Sequence, residues 1–376
     1  MRNRWCIALA ALVVVTLSPG PGLSQAAGSP YVIGVTVPLT GPQANYGNVI
    51  VVAAQLGADD VNRRGGVRGH PLKVVAEDTG GAPQGGIAAM RKLVEIDGAH
   101  AILTAFTNTV SAQIPLADQL KIPTLSGVEA QGAIPSTAVY SFAHSVRLIY
   151  VAPFFRSYWK SSGKKRIFAI FSNNAQGQGM SPPIREAAAG AGAEYQEAFL
   201  NPTDTDFRGI LARVKEFNPD AVMLPGWADN NEVSLIRQIR ELGITAQLEE
   251  PSNNYSSGTW RAAALPYLDG MVLGGVNVTT TGAGGEFIRA FRDKTGVDPG
   301  YGEAEFFDFV HIIAYAIGRG GYDGEAIRNA IADAKDVPSI LGGTISMGGD
   351  HYTRLGGFGL WLVKNGREER LPVVPN

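Results

Sequence analysis

Short β-branched runs alternate along the chain with longer stretches whose apolar residues recur every three or four positions. The runs YVIGVTV, LKVVAED, AHAILTAF, IPTLSG, RIFAIFSNN, DAVMLPG and GMVLGGVNV predict strands. Between and after them the spacing predicts helices over 44–64, 83–97, 109–120, 147–161, 178–191, 206–217, 229–242, 285–295, 303–319 and 323–335. Strands alternating with helices imply βαβ units and parallel sheets. Right-handed crossovers then put helices on both sheet faces.

The alternation runs twice, over about 30–145 and again from KKRIFAIFSNN to about 276. The stretch 285–335 reads as nearly all helix, and GGTISMGG and FGLWLVKNG near the end read as strands. The fold class expected is α/β, two doubly wound Rossmann-like lobes joined by several chain crossings. No Ser- or Pro-rich linker separates the halves, which suits several short crossings better than one linker. The lobes are expected to comprise 30–146 with 277–349, and 147–276 with 350–376.

Local chemistry supports several boundaries. Asn62 followed by Gly65 and Gly66 reads as a helix stop. Asp204 or Asp206 is a candidate N-cap for a helix with apolar residues at 207, 210, 211, 214 and 217. The adjacent acids Asp59-Asp60 and Glu249-Glu250 read as solvated charges. The segment VPLTGPQANYG, from Val37 to Gly47, follows the first predicted strand and is punctuated by glycine. It lacks G-x-G-x-x-G, which argues against a phosphate loop.

The N-terminus sets the compartment. Arg2 and Arg4 precede an apolar run from Cys6 to Leu17, then Pro19 to Gly22 and the small residues Ser24 and Ala26. This is the pattern of a cleaved signal peptide over 1–26. Its removal would take away the single cysteine of the 376-residue chain, Cys6, so the exported protein folds without disulfides. The formal charge of −2 gives no sign of a nucleic-acid partner.

Reaction motifs are missing. There is no G-x-S-x-G elbow and no P-loop; SGKKR at 162–166 lacks the rest of one. GAGGEF at 282–287 is not preceded by a predicted strand leading directly into a helix. The five histidines, His70, His100, His144, His311 and His351, lack metal-ligand spacing and read as surface or packing residues. Two α/β lobes meeting at the carboxyl ends of their strands form a cleft. A motif-free scaffold of this kind points to binding rather than catalysis, with no metal or cofactor.

From residue 55 the chain resembles the exported Leu/Ile/Val-binding proteins of ABC importers. The resemblance rests on Thr40-Gly41-Pro42, Gly47, Asn62, Gly65-Gly66, Gly69, LKVVAED and Asp78. It continues through AILTAFTNTVSAQIPLADQLKIPTLSG, FAIFSNNAQGQGM, the long segment from DTDFRG to RELGI, and DGMVLGGVN. Each piece is weak, but together they span nearly the whole exported chain in order. The resemblance implies a type I periplasmic binding protein. It implies a monomer that closes on a small ligand and delivers it to an inner-membrane ABC permease. A periplasmic sensory module handing its signal to a membrane receptor is the alternative.

The resemblance also implies the site. Tyr46 matches an aromatic that lies over the ligand. Thr107, Asn108 and Thr109 follow a strand and open a helix, where backbone N–H groups suit a carboxylate. Glu129 and Ala130 occupy the next contact loop. Gln176, Trp227, Asp229, Ser252 and Asn253 would face them from the second lobe. His144 and Arg147, near the first crossing, are further candidates to meet a carboxylate. The family's amino-acid binders carry a hydroxyl at the position of Ala130, an acid at Ser252 and often an aromatic at Gln176. This chain departs at all three, which leaves Asp229 or Glu129 to meet an ammonium. The ligand expected is an amino acid, an aromatic or aliphatic carboxylate, or an amide.

Overall fold

The computed structural model describes residues 28–41, 43–127, 134–144, 148–173, 175–201, 203–224, 230–251 and 264–375. The first half builds β1 (Tyr31–Val37), α1 (Ala44–Arg63), β2 (Leu72–Asp78), α2 (Pro83–Glu95), β3 (Ala101–Ala105), α3 (Thr107–Leu120), β4 (Thr124–Gly127) and β5 (Ser141–Ala143). These strands form one parallel sheet in the order β2-β1-β3-β4-β5.

The second series is α4 (Leu148–Ser162), β6 (Arg166–Ser172), α5 (Ala175–Ala191), β7 (Glu194–Leu200), α6 (Arg208–Phe217), β8 (Ala221–Met223), α7 (Asn230–Glu241), β9 (Gln247–Glu250) and β10 (Val272–Gly275). Its parallel strands run β7-β6-β8-β9-β10. In each sheet the first strand of the series lies between the second and the third, so the two sheets share one winding order. β14 (Gly359–Lys364) adds antiparallel to β10, and β15 (Arg367–Arg370) adds to β14.

The first strand-to-helix turn is also built alike in both. A Cβ at Gly47 would lie 1.8 Å from the Pro38 carbonyl oxygen, and one at Gly177 would lie 2.0 Å from that of Ser172. Only glycine lets the helix sit so close to the end of its strand.

After β10 the chain returns to the first sheet with α8 (Gly282–Thr295), α9 (Tyr301–Gly320) and α10 (Gly324–Ala332). α9 packs along α1 and reaches β4. A small antiparallel sheet follows, β11 (Val337–Pro338), β12 (Thr344–Met347) and β13 (Thr353–Leu355). β12 and β13 pair across positions 349 and 350, and Tyr352 bridges Ala143 of β5.

Several local expectations change. β5, β7 and β9 were not expected. β7 reads EYQEAFL, with half-exposed polar positions that suit a sheet edge. β9 reads QLEE, and both of its acids are fully buried rather than solvated. Trp159 Nε1 donates to Glu249 Oε2 at 2.8 Å, and burial pushes this carboxyl up to about 7. Asp60 is buried too. It accepts from Arg63 at 2.8 Å and Arg64 at 2.5 Å, and lies 2.9 Å from His311 Nε2, so its carboxyl sits at about 2 despite burial.

Asp206 accepts the Arg208 N–H at 3.1 Å, but the N-cap of α6 is Phe207, with no side-chain cap bond. The helix stop expected at Asn62, Gly65 and Gly66 is found: α1 ends at Arg63, and both glycines take positive φ. The Asn62 side chain also clamps the start of β2, where its amide accepts the Leu72 N–H at 2.7 Å and donates to the Leu72 carbonyl at 2.9 Å. The GAGGEF segment does open a helix, α8, six residues after β10 ends. Its chain still leaves one sheet for the other there, so no single strand-turn-helix unit forms.

Candidate functional site

In a parallel sheet of order 2-1-3-4-5, the loops after the first and third strands diverge to opposite faces and leave a crevice between them. Here those loops follow β1 and β3. They carry Tyr46 and the start of α3.

The β1 loop is braced by Asp78, the last residue of β2. Its carboxylate accepts the Leu39 N–H at 2.8 Å, the Thr40 N–H at 3.3 Å, the Thr40 hydroxyl at 2.6 Å and the Gly80 N–H at 2.8 Å. These donors, the Thr40 hydroxyl first, hold the Asp78 carboxyl down at about 2. So the segment after β1 is a loop pinned by a carboxylate. It delivers Tyr46 at the first turn of α1.

Tyr46 is 38% exposed and meets the ring of Phe106 edge-on, with centroids 5.7 Å apart. Phe106 is the N-cap of α3 and takes φ 68°, ψ 116°. A positive φ in a bulky aromatic residue costs free energy, and such strain gathers where a site must be pre-shaped. The first helical bond of α3 runs from the Val110 N–H to the Phe106 carbonyl at 3.0 Å. The N–H groups of Thr107, Asn108 and Thr109 therefore have no carbonyl one turn back, and they carry the positive end of the helix dipole.

Thr107 and Asn108 are exposed. Thr109 is 1% exposed, and its Oγ1 has no hydrogen-bond partner among the described residues. Beneath them Gln113 locks α3 to the sheet. It donates to the Gly86 carbonyl at 2.9 Å and to Thr36 Oγ1 at 3.0 Å, and it accepts from Thr104 Oγ1 at 2.7 Å. The helix start is thus rigidly placed with its donors outward, an arrangement that fits a carboxylate.

His144 is fully buried at the end of β5. Its N–H donates to the Ser126 carbonyl at 2.9 Å, its Nδ1 lies 2.8 Å from Thr353 Oγ1, and its ring meets Phe309 edge-on. Burial lowers its pKa to about 3, so the imidazole is neutral. Gln176 belongs to the first turn of α5. Glu129, Ala130, Arg147, Trp227, Asp229, Ser252 and Asn253 lie outside the described residues. The structure thus brings Tyr46 together with Thr107, Asn108 and Thr109.

Two groups at this end escaped the sequence reading: Phe106 and Gly302. A Cβ at Gly302 would lie 2.2 Å from the Tyr46 hydroxyl, so α9 touches the site from a point far along the chain. The only local signal was the YGEAEF segment opening a predicted helix. A groove of about 340 Å³ between α4 and α5, walled by Pro153, Arg156, Pro182 and Glu186, lies on a helix–helix face rather than at a strand end.

Two parallel sheets of one winding order, with a switch-point crevice, define a type I periplasmic binding protein. The family model described as periplasmic binding protein matches residues 30–357, and the chain belongs to that family. The Leu/Ile/Val-binding protein BraC3 of Rhizobium johnstonii is 24% identical over 333 residues, covering 82% of this chain and 85% of that relative. The branched-chain amino acid substrate-binding protein LivJ of Streptococcus pneumoniae, solved with isoleucine, superposes with a TM-score of 0.78. It is 22% identical and is covered at 92% of this chain and 100% of its own. An ABC-transporter solute-binding protein from R. palustris, solved with benzoate, gives a TM-score of 0.75 at 19% identity, covering 92% and 98%.

Proposed function

We propose that the protein is an exported solute-binding protein that captures a small carboxylate-bearing ligand between two lobes and delivers it to an inner-membrane ABC permease. The observation that carries this reading is the start of α3: three outward N–H groups beside the strained Phe106 and the half-exposed Tyr46, at the switch point of the first sheet. A carboxylate there would replace the water that otherwise solvates those donors. Relatives solved with isoleucine and with benzoate share this fold and share a carboxylate in otherwise different ligands.

In this reading residues 30–146 and 277–355 form one lobe and 147–276 and 356–376 the other; the last boundary, expected from the sequence at 349, is drawn after Leu355 because β13 pairs with β12. The second wall of the cleft comes from Gln176, Trp227, Asp229, Ser252 and Asn253, with Glu129, Ala130 and Arg147 at its edges. The protein works as a periplasmic monomer, its first 26 residues removed on export. No described helix is long and apolar enough to cross a membrane.

Thermal unfolding against L-leucine, L-isoleucine, benzoate and 4-methylpentanoate tests the reading. A ligand bound only by the folded state adds about 4 kcal/mol at roughly 1,000-fold excess over Kd. At least one of these carboxylates should raise the Tm, and Tyr46→Ala should reduce the rise, by about 1.4 kcal/mol of stabilisation for a tenfold loss of affinity. A rise of undiminished size in Tyr46→Ala would move the site elsewhere.

A further inference from the structure

The second sheet carries a carboxyl group that the proposed binding site does not use. Glu249 lies on β9 and is fully buried. Its Oε2 accepts the Trp159 indole N–H at 2.8 Å, and its Oε1 has no hydrogen-bond partner among the described residues. An ionised carboxylate has about four acceptor positions to fill, and here a single donor reaches it. A buried charge held by so little is costly, whereas a neutral acid is not.

The surroundings favour the neutral form. Met223 of β8 and Val272 of β10 are the register partners of Glu249, and both are fully buried. From α4 come Trp159 and Tyr158, whose hydroxyl donates to Gln247 on β9 at 2.8 Å. Lys164, in the turn after α4, attracts the carboxylate, but its Nζ donates to the Asp220 carbonyl at 3.4 Å. Glu250 is the next residue of the strand and points to the opposite face. Burial outweighs the indole bond and Lys164, and pushes the Glu249 carboxyl up to about 7.

We propose that Glu249 is a pH-sensitive latch: uncharged, it fastens α4 to the second sheet, and when it loses its proton that contact loosens. α4 is the first element after the chain leaves the first sheet. It packs so closely on the second that a Cβ at Gly274 of β10 would lie 2.5 Å from Phe155 Cε2. The Glu249 carbonyl accepts the Leu224 N–H at 2.7 Å, so the same residue holds the end of β8. β8 and β9 lead to Trp227, Asp229, Ser252 and Asn253 of the proposed second wall, though the latch does not depend on that reading. The folded chain keeps this proton at pH values where the unfolded chain, with an ordinary 4.5, has lost it. The stability it contributes is complete below about pH 4.5 and is lost as the pH rises through about 7.

Resonances of the isotope-labelled protein, followed from about pH 4 to about pH 9, test the latch. The Trp159 indole N–H should move with a midpoint of about 7, and the movement should be absent in Glu249→Gln. Over the same range the hydrogen-exchange protection of α4 amides should fall by about tenfold while that of α1 holds, and Glu249→Gln should keep α4 protected throughout. The urea midpoint of the wild type should fall between about pH 5 and about pH 8, and that of Glu249→Gln should fall less. Burial also raises the Asp308 and Glu303 carboxyls on α9, so the difference between the two proteins, rather than the fall itself, reports the latch.

A Trp159 indole that titrates at about 4.5, or that does not move over this range, would overturn the proposal. So would α4 protection that falls equally in the wild type and in Glu249→Gln. The indole titration of the wild type needs no variant, so it decides the matter even where Glu249→Gln folds poorly.

Discussion

The two ends of the first sheet are built in opposite ways. At the N-terminal end of its strands four rings are stacked in series. His70 lies on Tyr31 at 4.4 Å, Tyr31 on Tyr322 at 4.1 Å, and Tyr322 beside His100 at 4.3 Å. The Tyr322 hydroxyl accepts the Val32 N–H at 2.6 Å and lies 3.2 Å from the Val32 and Gly98 carbonyls. Asn62 satisfies both backbone groups of Leu72 nearby. At the C-terminal end a bulky residue sits at positive φ, three N–H groups point outward, and the Thr109 hydroxyl is buried without a described partner. One end has its rings packed and the backbone groups of Val32 and Leu72 paired with side chains. The other holds donors and strain that a ligand could use. The difference separates the part of the sheet that stabilises the fold from the part proposed to bind.

That contrast is exposed to direct tests. Tyr322→Ala removes two ring contacts and the hydroxyl bonds together, and should destabilise the protein by about 3 kcal/mol in urea unfolding. Its affinity for the probe carboxylates should stay within about twofold, well under the 1.4 kcal/mol of a tenfold change. Tyr46→Ala should do the reverse. Affinity should fall by about tenfold or more, roughly 1.4 kcal/mol, with stability changed by less than about 0.5 kcal/mol because the ring is already partly in water. If each variant moved both quantities equally, the division between the two ends would fail.

The pH axis should separate the ends as well. Burial lowers the pKa of His100 at the sealed end below its ordinary 6.5. The unfolded chain then binds more protons than the folded one just below that pH, so this end loses stability as the pH falls from about 6.5. His100→Leu should flatten the slope of stability between about pH 6.5 and 5. Asp78 at the cleft end is held at about 2 against an ordinary 3.8. Its contribution is complete above about pH 4 and is lost as the pH falls through about 2. It is exposed, so the effect on global stability is small. The sharper readout is Asp78→Asn at neutral pH, which should weaken ligand binding by a few-fold through a loosened β1 loop, with little change in the urea midpoint.

Much of this fold was legible in the chain because helix and strand periods alternate cleanly. All ten helices of the described residues lie close to their expected spans, and β1 and β2 match exactly the runs YVIGVTV and LKVVAED. The misses share a cause. QLEE in β9 is a strand because Trp159 and the sheet bury its acids, and no local pattern announces a partner 90 residues away. The same holds at the site. Thr107 to Thr109 could be placed from sequence because a strand end followed by a helix start is a local feature. Phe106 could not, since its positive φ is imposed by the turn and not by its own preference. Gly302 could not either, because its closeness to the Tyr46 hydroxyl appears only when α9 is laid along α1.

The most direct test is to follow the backbone amide resonances of the isotope-labelled protein while titrating L-leucine and, separately, benzoate. The largest shifts should fall on the N–H groups of Thr107, Asn108 and Thr109, followed by Tyr46, with Val32 and Tyr322 unmoved. Shifts concentrated at Tyr31 and Tyr322, or along the groove between α4 and α5, with 107–109 silent, would contradict the placement of the ligand at the switch point of the first sheet.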